Sequence, residues 1–273
     1  MRIFHPTDFS PASDVAFVHA LKLALGGGGS FTVFHFAGGD PDDDTREFPH
    51  VRDTLARWGL LPPNSPREDV ASLGVHVRKV AVGGDDPTDA ILKYLEKHPA
   101  DLIVLGTHQR SGAARWLDRE VALPVARTAA VPALFVPPDV EGFVNAATGA
   151  ARITRIVLPI DAHPHPRPAL ELLPGLVEAV QDDAVSVELV HVGTDITAPH
   201  VRLPEVAGWT WETRVAAGDP VEEILRAALK ADLLVLTTEG RHGFLDALRG
   251  STTERIVRGA RCPVLAIPST TPA

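Results

Sequence analysis

A chain of 273 residues exceeds one average domain and fits two, each long enough to bury its own core. With 45% hydrophobic and 22% charged residues the composition is that of an ordinary water-soluble protein, and a net charge of −9 argues against nonspecific binding to nucleic acid or to an anionic membrane. The single cysteine, Cys262, excludes an intrachain disulfide and a cysteine zinc cluster, in keeping with a cytoplasmic setting, and no run reaches the about 18 apolar residues of a membrane span.

From the N-terminus, "MRIFHPTDFS" does not read as a signal peptide, because no long apolar run follows the charge. Its "RIFHPT" (2–7) is a short run of buried-strand type. Residues 11–25 have helical spacing and end at "GGGGS" (26–30). That run follows a helix and precedes no Gly-Lys-Ser/Thr, so it reads as a helix stop and turn, not a P-loop. "FTVFHF" (31–36) is the second strand. "DPDDD" (40–44) lacks the spacing and the closing Glu of a calcium loop and reads as solvated loop. An amphipathic helix is expected over 47–60, with Trp58 in the core. "VHVRKV" (75–80), a helix over 85–97 started by Asp86-Pro87, "DLIVLG" (101–106), a helix over 118–129 and "PALFVP" (132–137) complete the series. Strands alternating with helices imply a parallel sheet covered on both faces.

The series then repeats. "GDDPTDAILKYLEKHPADLIVLGTHQRSG" (84–112) aligns with "AGDPVEEILRAALKADLLVLTTEGRHG" (217–243), and "AAVPALFVPP" (129–138) with "GARCPVLAIPS" (259–269). The starts agree more loosely, "RIFHPTDFSPA" (2–12) against "RIVLPIDAHPH" (155–165). The chain is therefore expected to be α/β, with one domain over 1–138 and a second over 152–273. Residues 139–151, "DVEGFVNAATGAA", are small, polar and without period, and read as the linker. Within 195–209 of the second copy helical signal is weak, so its second helix is expected to be reduced or absent.

In doubly wound sheets a ligand binds beyond the C-terminal strand ends, where the strand order reverses. Two segments of each copy lead there: the end of the first strand, with Asp8 or Asp161, and the loop after the fourth strand. In the second copy that loop is "TTEGRHGFLDALRGSTTERI" (237–256). Gly240 permits a tight turn, and Gly250 lets a phosphate approach the backbone at a helix entry. Free amides and the helix dipole attract the anion there, and Ser251, Thr252 and Thr253 offer hydroxyl donors. A blander reading stands beside it: Ser251 and Glu254 spell a capping box, which only starts a helix. The first copy, "GTHQRSGAARWLDREVALPV" (106–125), puts Arg119, Glu120, Val121 and Ala122 at the helix entry, and these disfavour a phosphate.

Several other features read as structural. His163 and His165 of "HPHPRP" lie next to prolines with no third ligand in view, and border the candidate pocket at most. His108 and His242 flank the two loops, and Cys262, beside a core strand, is expected to be buried and unreactive.

Over nearly all of both copies these residues resemble the universal stress protein family. "HPTDFSPAS" is similar to its opening strand and turn, "DLIVLGTHQRSG" to its fourth strand, and "RGSTTERIVRGARCPVLAIP" to its closing helix and strand. The resemblance implies two tandem doubly wound five-stranded parallel sandwiches, Rossmann-like, packed as a pseudo-dimer through their fifth strands. Nucleotide-binding members carry Gly-x2-Gly-x9-Gly-[Ser/Thr]. Carried over, the pattern falls on Thr237, Gly240, Gly250 and Ser251, with Thr237 departing from the first Gly. The family's adenine-side Asp falls on Asp161 and its second-strand position on Val192. The first copy offers Gly106, Gln109, Arg119 and Glu120, and departs at three of the four positions. The implied function is a cytoplasmic stress-response regulator. It would bind ATP or another adenine nucleotide, with Mg2+, in domain 2, have no catalytic residues, and act on an unidentified regulatory protein as a homo-oligomer. Two alternatives are a ligand-free dimeric scaffold and an enzyme of the same fold, a slow nucleotide hydrolase or an adenylyl-transfer relative. Against the second, neither His-x-Gly-His nor Ser-Gly-Gly-x-Asp-Ser occurs.

Overall fold

In the computed structural model, which describes residues 1–38, 47–107, 119–138, 140–181, 183–239 and 252–269, each half opens on a strand clamped by an aspartate. Strand β1 (Arg2–Thr7) starts where the Arg2 amide and guanidinium both donate to Asp101, the residue before β4 (Leu102–Gly106). Strand β6 (Arg155–Pro159) starts where the Thr154 and Arg155 amides, at 2.7 and 2.9 Å, and the Thr154 hydroxyl donate to Asp232. Asp232 in turn precedes β9 (Leu233–Thr238). The two aspartates hold the same place in "ADLIVLG" and "ADLLVLT", so the aligned words are aligned clamps.

The first half continues with α1 (Pro11–Gly27), β2 (Gly29–Phe36), α2 (Val51–Arg57), α3 (Arg67–Ser72), β3 (Val75–Val82), α4 (Pro87–Lys97), α5 (Arg119–Ala129) and β5 (Ala133–Val136). The second half has α6 (Arg167–Glu178), β7 (Val185–Val192), β8 (Trp209–Ala216), α7 (Pro220–Ala227), a 3-10 turn (Ala228–Lys230), α8 (Thr252–Gly259) and β10 (Val264–Pro268). The Asp-Pro starts act as expected: Asp86 accepts from the Asp89 amide and Asp219 from the Glu222 amide, each with proline in the first turn. Helix α1 stops in the glycine run, with Gly28 at φ +51°.

All ten strands form one sheet in the order β3-β2-β1-β4-β5-β10-β9-β6-β7-β8. Within each half every pairing is parallel, and the halves meet through β5 and β10, antiparallel, with Val264 opposite Phe135 and Leu265 opposite Leu134. The tandem sandwiches and the fifth-strand contact are thus as the sequence leads one to expect. One apolar layer, with Phe17, Leu21, Phe31, Leu55, Leu170 and Leu173, covers one face across both halves. A second, with Phe34, Ile91, Val125, Leu234, Ile224 and Val257, covers the other. Each such side chain contributes about 1.5–3 kcal/mol by leaving water.

Three local features differ from the sequence reading. The helix expected over 47–60 is trimmed to 51–57, because Pro49 precedes it and Gly59, at φ +73°, ends it. Helix α3 was not foreseen, since its six residues bury only Val70 and so carry no period. The linker is folded. Gly142 and Gly149 take positive φ, Val144 bridges Ala151, and Phe143 and Val144 are buried in the first layer. The expected thinning of the second half holds, for no helix lies among the described residues between β7 and β8.

His19 of α1 holds that linker. Its Nδ1–H donates to the Val15 carbonyl at 2.7 Å, leaving Nε2 to accept the amides of Phe143 and Val144 at 3.1 and 3.3 Å. Trp58, in the core as expected, donates its indole N–H to the Ala146 carbonyl. Only a neutral imidazole fits this arrangement, and burial pushes His19 down from 6.5 to about 4. His5, wholly buried, is pushed down to about 4 for the same reason. An unfolded histidine takes up a proton at a pH where these stay neutral. Their stabilising contribution is therefore complete above about 6.5 and lost as the pH falls toward about 4. Urea midpoints should drop steadily between pH 7 and 4.5. His19→Leu strands two buried amides at about 1–3 kcal/mol each and should show a flatter pH dependence from a lower start.

The halves also touch through their helices. A Cβ on Gly26 of α1 would overlap the carbonyl of Ala179, the residue that ends α6. Gly26→Ala gains about 1 kcal/mol of helix propensity, yet it has to push α1 and α6 apart, which costs about 1–3 kcal/mol. A lower melting temperature is the expected result, and an unchanged or higher one would show that this contact yields freely.

Candidate functional site

The strand order sets the place. In the second half β6 and β9 are neighbours, while the chain runs from β6 outward to β7 on one side and returns to β9 on the other. That reversal opens a crevice at the C-terminal ends of β6 and β9. Three candidate residues stand there. Pro159 pairs with Val190, so the same count carries Asp161 level with Val192, the last residue of β7. Val157 pairs with Leu234, which carries Asp161 level with Thr238, next to Thr237. Thr252 and Thr253 open α8, Thr252 exposed and Thr253 half-buried. Gly240, Gly250 and Ser251 lie outside the described residues, as do Gln109, His108, His242 and "DPDDD".

Asp161 is exposed, and its Oδ1 accepts the Ala162 amide at 2.7 Å. Its counterpart Asp8 is buried. One Asp8 oxygen accepts the Ser10 amide, and Oδ2 has no hydrogen-bond partner among the described residues. The Thr237 hydroxyl is likewise buried without a partner among the described residues, a polar atom that a ligand or the adjoining loop has to satisfy. Glu254, the capping-box candidate, is buried and ion-paired with Arg258 one turn on. Arg255 reaches the Asp219 carboxylate at 3.4 Å and so ties the start of α8 to that of α7.

Two histidines that sequence reasoning passed over fix the floor of each crevice. His35 of β2 donates Nδ1–H to the Thr7 carbonyl at 2.8 Å. His191 of β7 makes the matching bond to the Ile160 carbonyl at 3.2 Å, and its Nε2 meets the Thr197 hydroxyl at 2.8 Å. Both are buried and both anchor the turn that leaves the first strand of their half. The signal was present in "FHF" (34–36) and "VHV" (190–192), a polar residue at the same place in two apolar strands. His165 accepts the Arg167 amide and, with Arg167, Glu171 and Ser269, lines a cleft of about 560 Å3 beside the end of β10. Cys262 is buried, and burial pushes its thiol up to about 12, so it stays unreactive as expected.

Thr237 in place of glycine has a packing explanation. In the first half the turn from β1 to α1 takes only residues 8–10, so α1 starts close over β4. A Cβ on Gly106 would stand 2.8 Å from the Ala12 carbonyl. In the second half the turn from β6 to α6 takes residues 160–166, and the helix starts farther along. The glycine is needed where the helix crosses, and the longer turn releases Thr237 from that need.

Against known proteins, the family model described as "Universal stress protein family" matches residues 1–137 and 202–268. The chain belongs to the universal stress protein family. Universal stress protein Rv2005c of Mycobacterium tuberculosis is 26% identical over 247 residues, covering 76% of this chain and 78% of that one. Universal stress protein MJ0531 of Methanocaldococcus jannaschii is 38% identical over 68 residues, covering 24% of this chain and 40% of that one. Among solved structures, a universal stress protein from Archaeoglobus fulgidus superposes with a TM-score of 0.61 at 18% identity, covering 98% of each chain. The universal stress protein fold is thereby matched along the whole tandem. No helix among the described residues is long and apolar enough to cross a membrane.

The packing account of Gly106 is checked by swapping residues between the two universal stress protein halves. Gly106→Thr should destabilise by about 1–3 kcal/mol through overpacking, and Thr237→Gly by no more than about 1 kcal/mol. Equal losses in urea unfolding would mean that α1 does not set the difference.

Proposed function

We propose a role in the stress response, which family membership supports. We propose that the second half performs it by binding an adenine nucleotide, ATP foremost, with little or no turnover. The observation that carries this reading is the position of the two described ends, the end of β9 and the start of α8, between which the sequence Gly240-x9-Gly250-Ser251 runs. The end of β9 stands at the crevice, where Asp161 is level with Val192 on one side and with Thr238, next to Thr237, on the other. Phosphates would meet the glycine-flanked backbone, the hydroxyls of Ser251, Thr252 and Thr253, and the α8 dipole. The adenosine would lie toward Asp161 and Val192. Mg2+ would screen the phosphates from the carboxylates nearby. Low turnover follows from the residues at hand, since 237–256 contains three arginines and no lysine, and lacks the P-loop pattern that cradles a transferring phosphoryl group. The first half, with Arg119 and Glu120 at the matching entry, would act as the fixed partner.

A ligand-free scaffold is the second reading. The continuous ten-stranded sheet favours it, because that architecture needs no ligand to close. The two are separated by purifying the chain without added nucleotide, denaturing it, and resolving the supernatant by ion exchange beside Gly250→Arg. About one adenine nucleotide per chain, absent from the variant, is the expected result. Saturation at 100 times the dissociation constant should add about 2.7 kcal/mol of stability to the wild type alone. No nucleotide in either protein and a flat ATP titration would leave the scaffold.

A further inference from the structure

The first half departs from the glycine pattern at three of its four positions, yet it carries two helices, α2 and α3, with no counterpart among the described residues of the second half. Helices α2 and α3 stand over one face of β3 and enclose with it a cavity of about 490 Å3, within the range of small-ligand sites. Val70, Val75 and Val77 give this cavity an apolar floor. Along that face of β3 the inward row runs Val75, Val77, Lys79, so a lysine stands where the pattern calls for another apolar residue. Arg52 and Arg67 line the same cavity.

Arg52, Arg67 and Lys79 thus put three cations on one small cavity, beside a single carboxylate, Asp53, and His50 on the same wall. Arg52 is held in place by donating to the Ser65 carbonyl at 3.0 Å. Arg67 has no ion-pair partner among the described residues, and the Lys79 ammonium lies 5.9 Å from the centre of the Phe48 ring. The carboxylates nearby, Glu47 and Asp53, both lie within ion-pair reach of His50, at 3.2 and 3.6 Å. Burial, then Arg67 and Arg52, push the Lys79 ammonium below its ordinary value, against the opposing pull of Asp53 and Glu47. The fields of the three cations therefore converge in one space.

We infer that the cavity between α2, α3 and β3 is a second ligand site, specific to the first half, for a small phosphorylated metabolite whose phosphate meets Arg52, Arg67 and Lys79 and whose apolar part rests on Val70, Val75 and Val77. Arginine forks match phosphate oxygens in pairs, and lysine adds a point charge. The site does not depend on the nucleotide reading. It lies on the outer strand of the sheet, and its cover has no counterpart among the described residues of the second half, where β7 passes to β8 without a helix.

The test is isothermal titration of the full chain with inorganic pyrophosphate in Mg2+-free buffer at fixed ionic strength. Wild type, Gly250→Arg, Arg67→Gln and the double variant Arg67→Gln/Lys79→Gln are titrated side by side, with citrate as the carboxylate control. Arg67 is exposed and Lys79 is partly covered at the cavity, so Arg67→Gln should melt as the wild type does and remains informative if the double variant does not. Binding in wild type and in Gly250→Arg, about tenfold weaker in Arg67→Gln and weaker still in the double variant, supports the site. Binding lost in Gly250→Arg but kept in the Arg67 variants would put pyrophosphate in the second half and overturn the inference. So would no binding at all, or citrate binding as tightly as pyrophosphate.

Discussion

The pairing of β5 with β10 is the constraint on which the rest depends. A five-stranded sheet ending in an apolar fifth strand leaves a row of unpaired backbone groups, an invitation to aggregate. Here Ala133, Leu134 and Phe135 meet Ala266, Leu265 and Val264, and each edge satisfies the other. The antiparallel sense places the halves back to back about a local twofold arrangement. Two apolar layers then run unbroken across the seam, which is why residues of both halves share each layer. The remaining edges, β3 and β8, carry Arg78 and Lys79 on one and Glu212 and Arg214 on the other, charges that discourage further strand addition.

Within that frame the two halves have diverged by loop length more than by core. The turn after the first strand is short in one and long in the other, and this decides whether glycine is required at the end of the fourth strand. The buried His35 and His191 keep the same bond in both. The aspartate clamps at Asp101 and Asp232 are also shared. What differs lies beyond the strand ends and over the outer strands, where change costs the sheet little.

The fold was legible because its signals are periodic and repeated. Asp86-Pro87 and Asp219-Pro220 mark helix starts by local chemistry, and "LIVL" and "LLVL" mark buried strands by composition. Where the signal is short or tertiary, reading failed. Helix α3 buries one side chain, and six residues cannot display a period of 3.6. The folding of 140–151 depends on His19, more than a hundred residues away, and no local pattern encodes that. For the site, Asp161, Val192 and Thr237 could be placed because strand ends follow from strand assignments. Why Thr237 is tolerated could not be read, because it depends on how far along the chain α6 starts after β6.

The docked linker also redraws the border between the repeats. Arg152 donates its amide to the Phe143 carbonyl and so still belongs to the first half. Ile153 exchanges hydrogen bonds with the side-chain amide of Gln181, which follows α6, and so already belongs to the second. The seam falls on a single peptide bond. Had the ancestral units been joined by a slack tether, each could have sampled its own orientation. Instead Phe143, Val144 and Ile153 of the junction are buried in the layer that both halves share, so the junction is itself part of a core and the two lobes are held to each other through it.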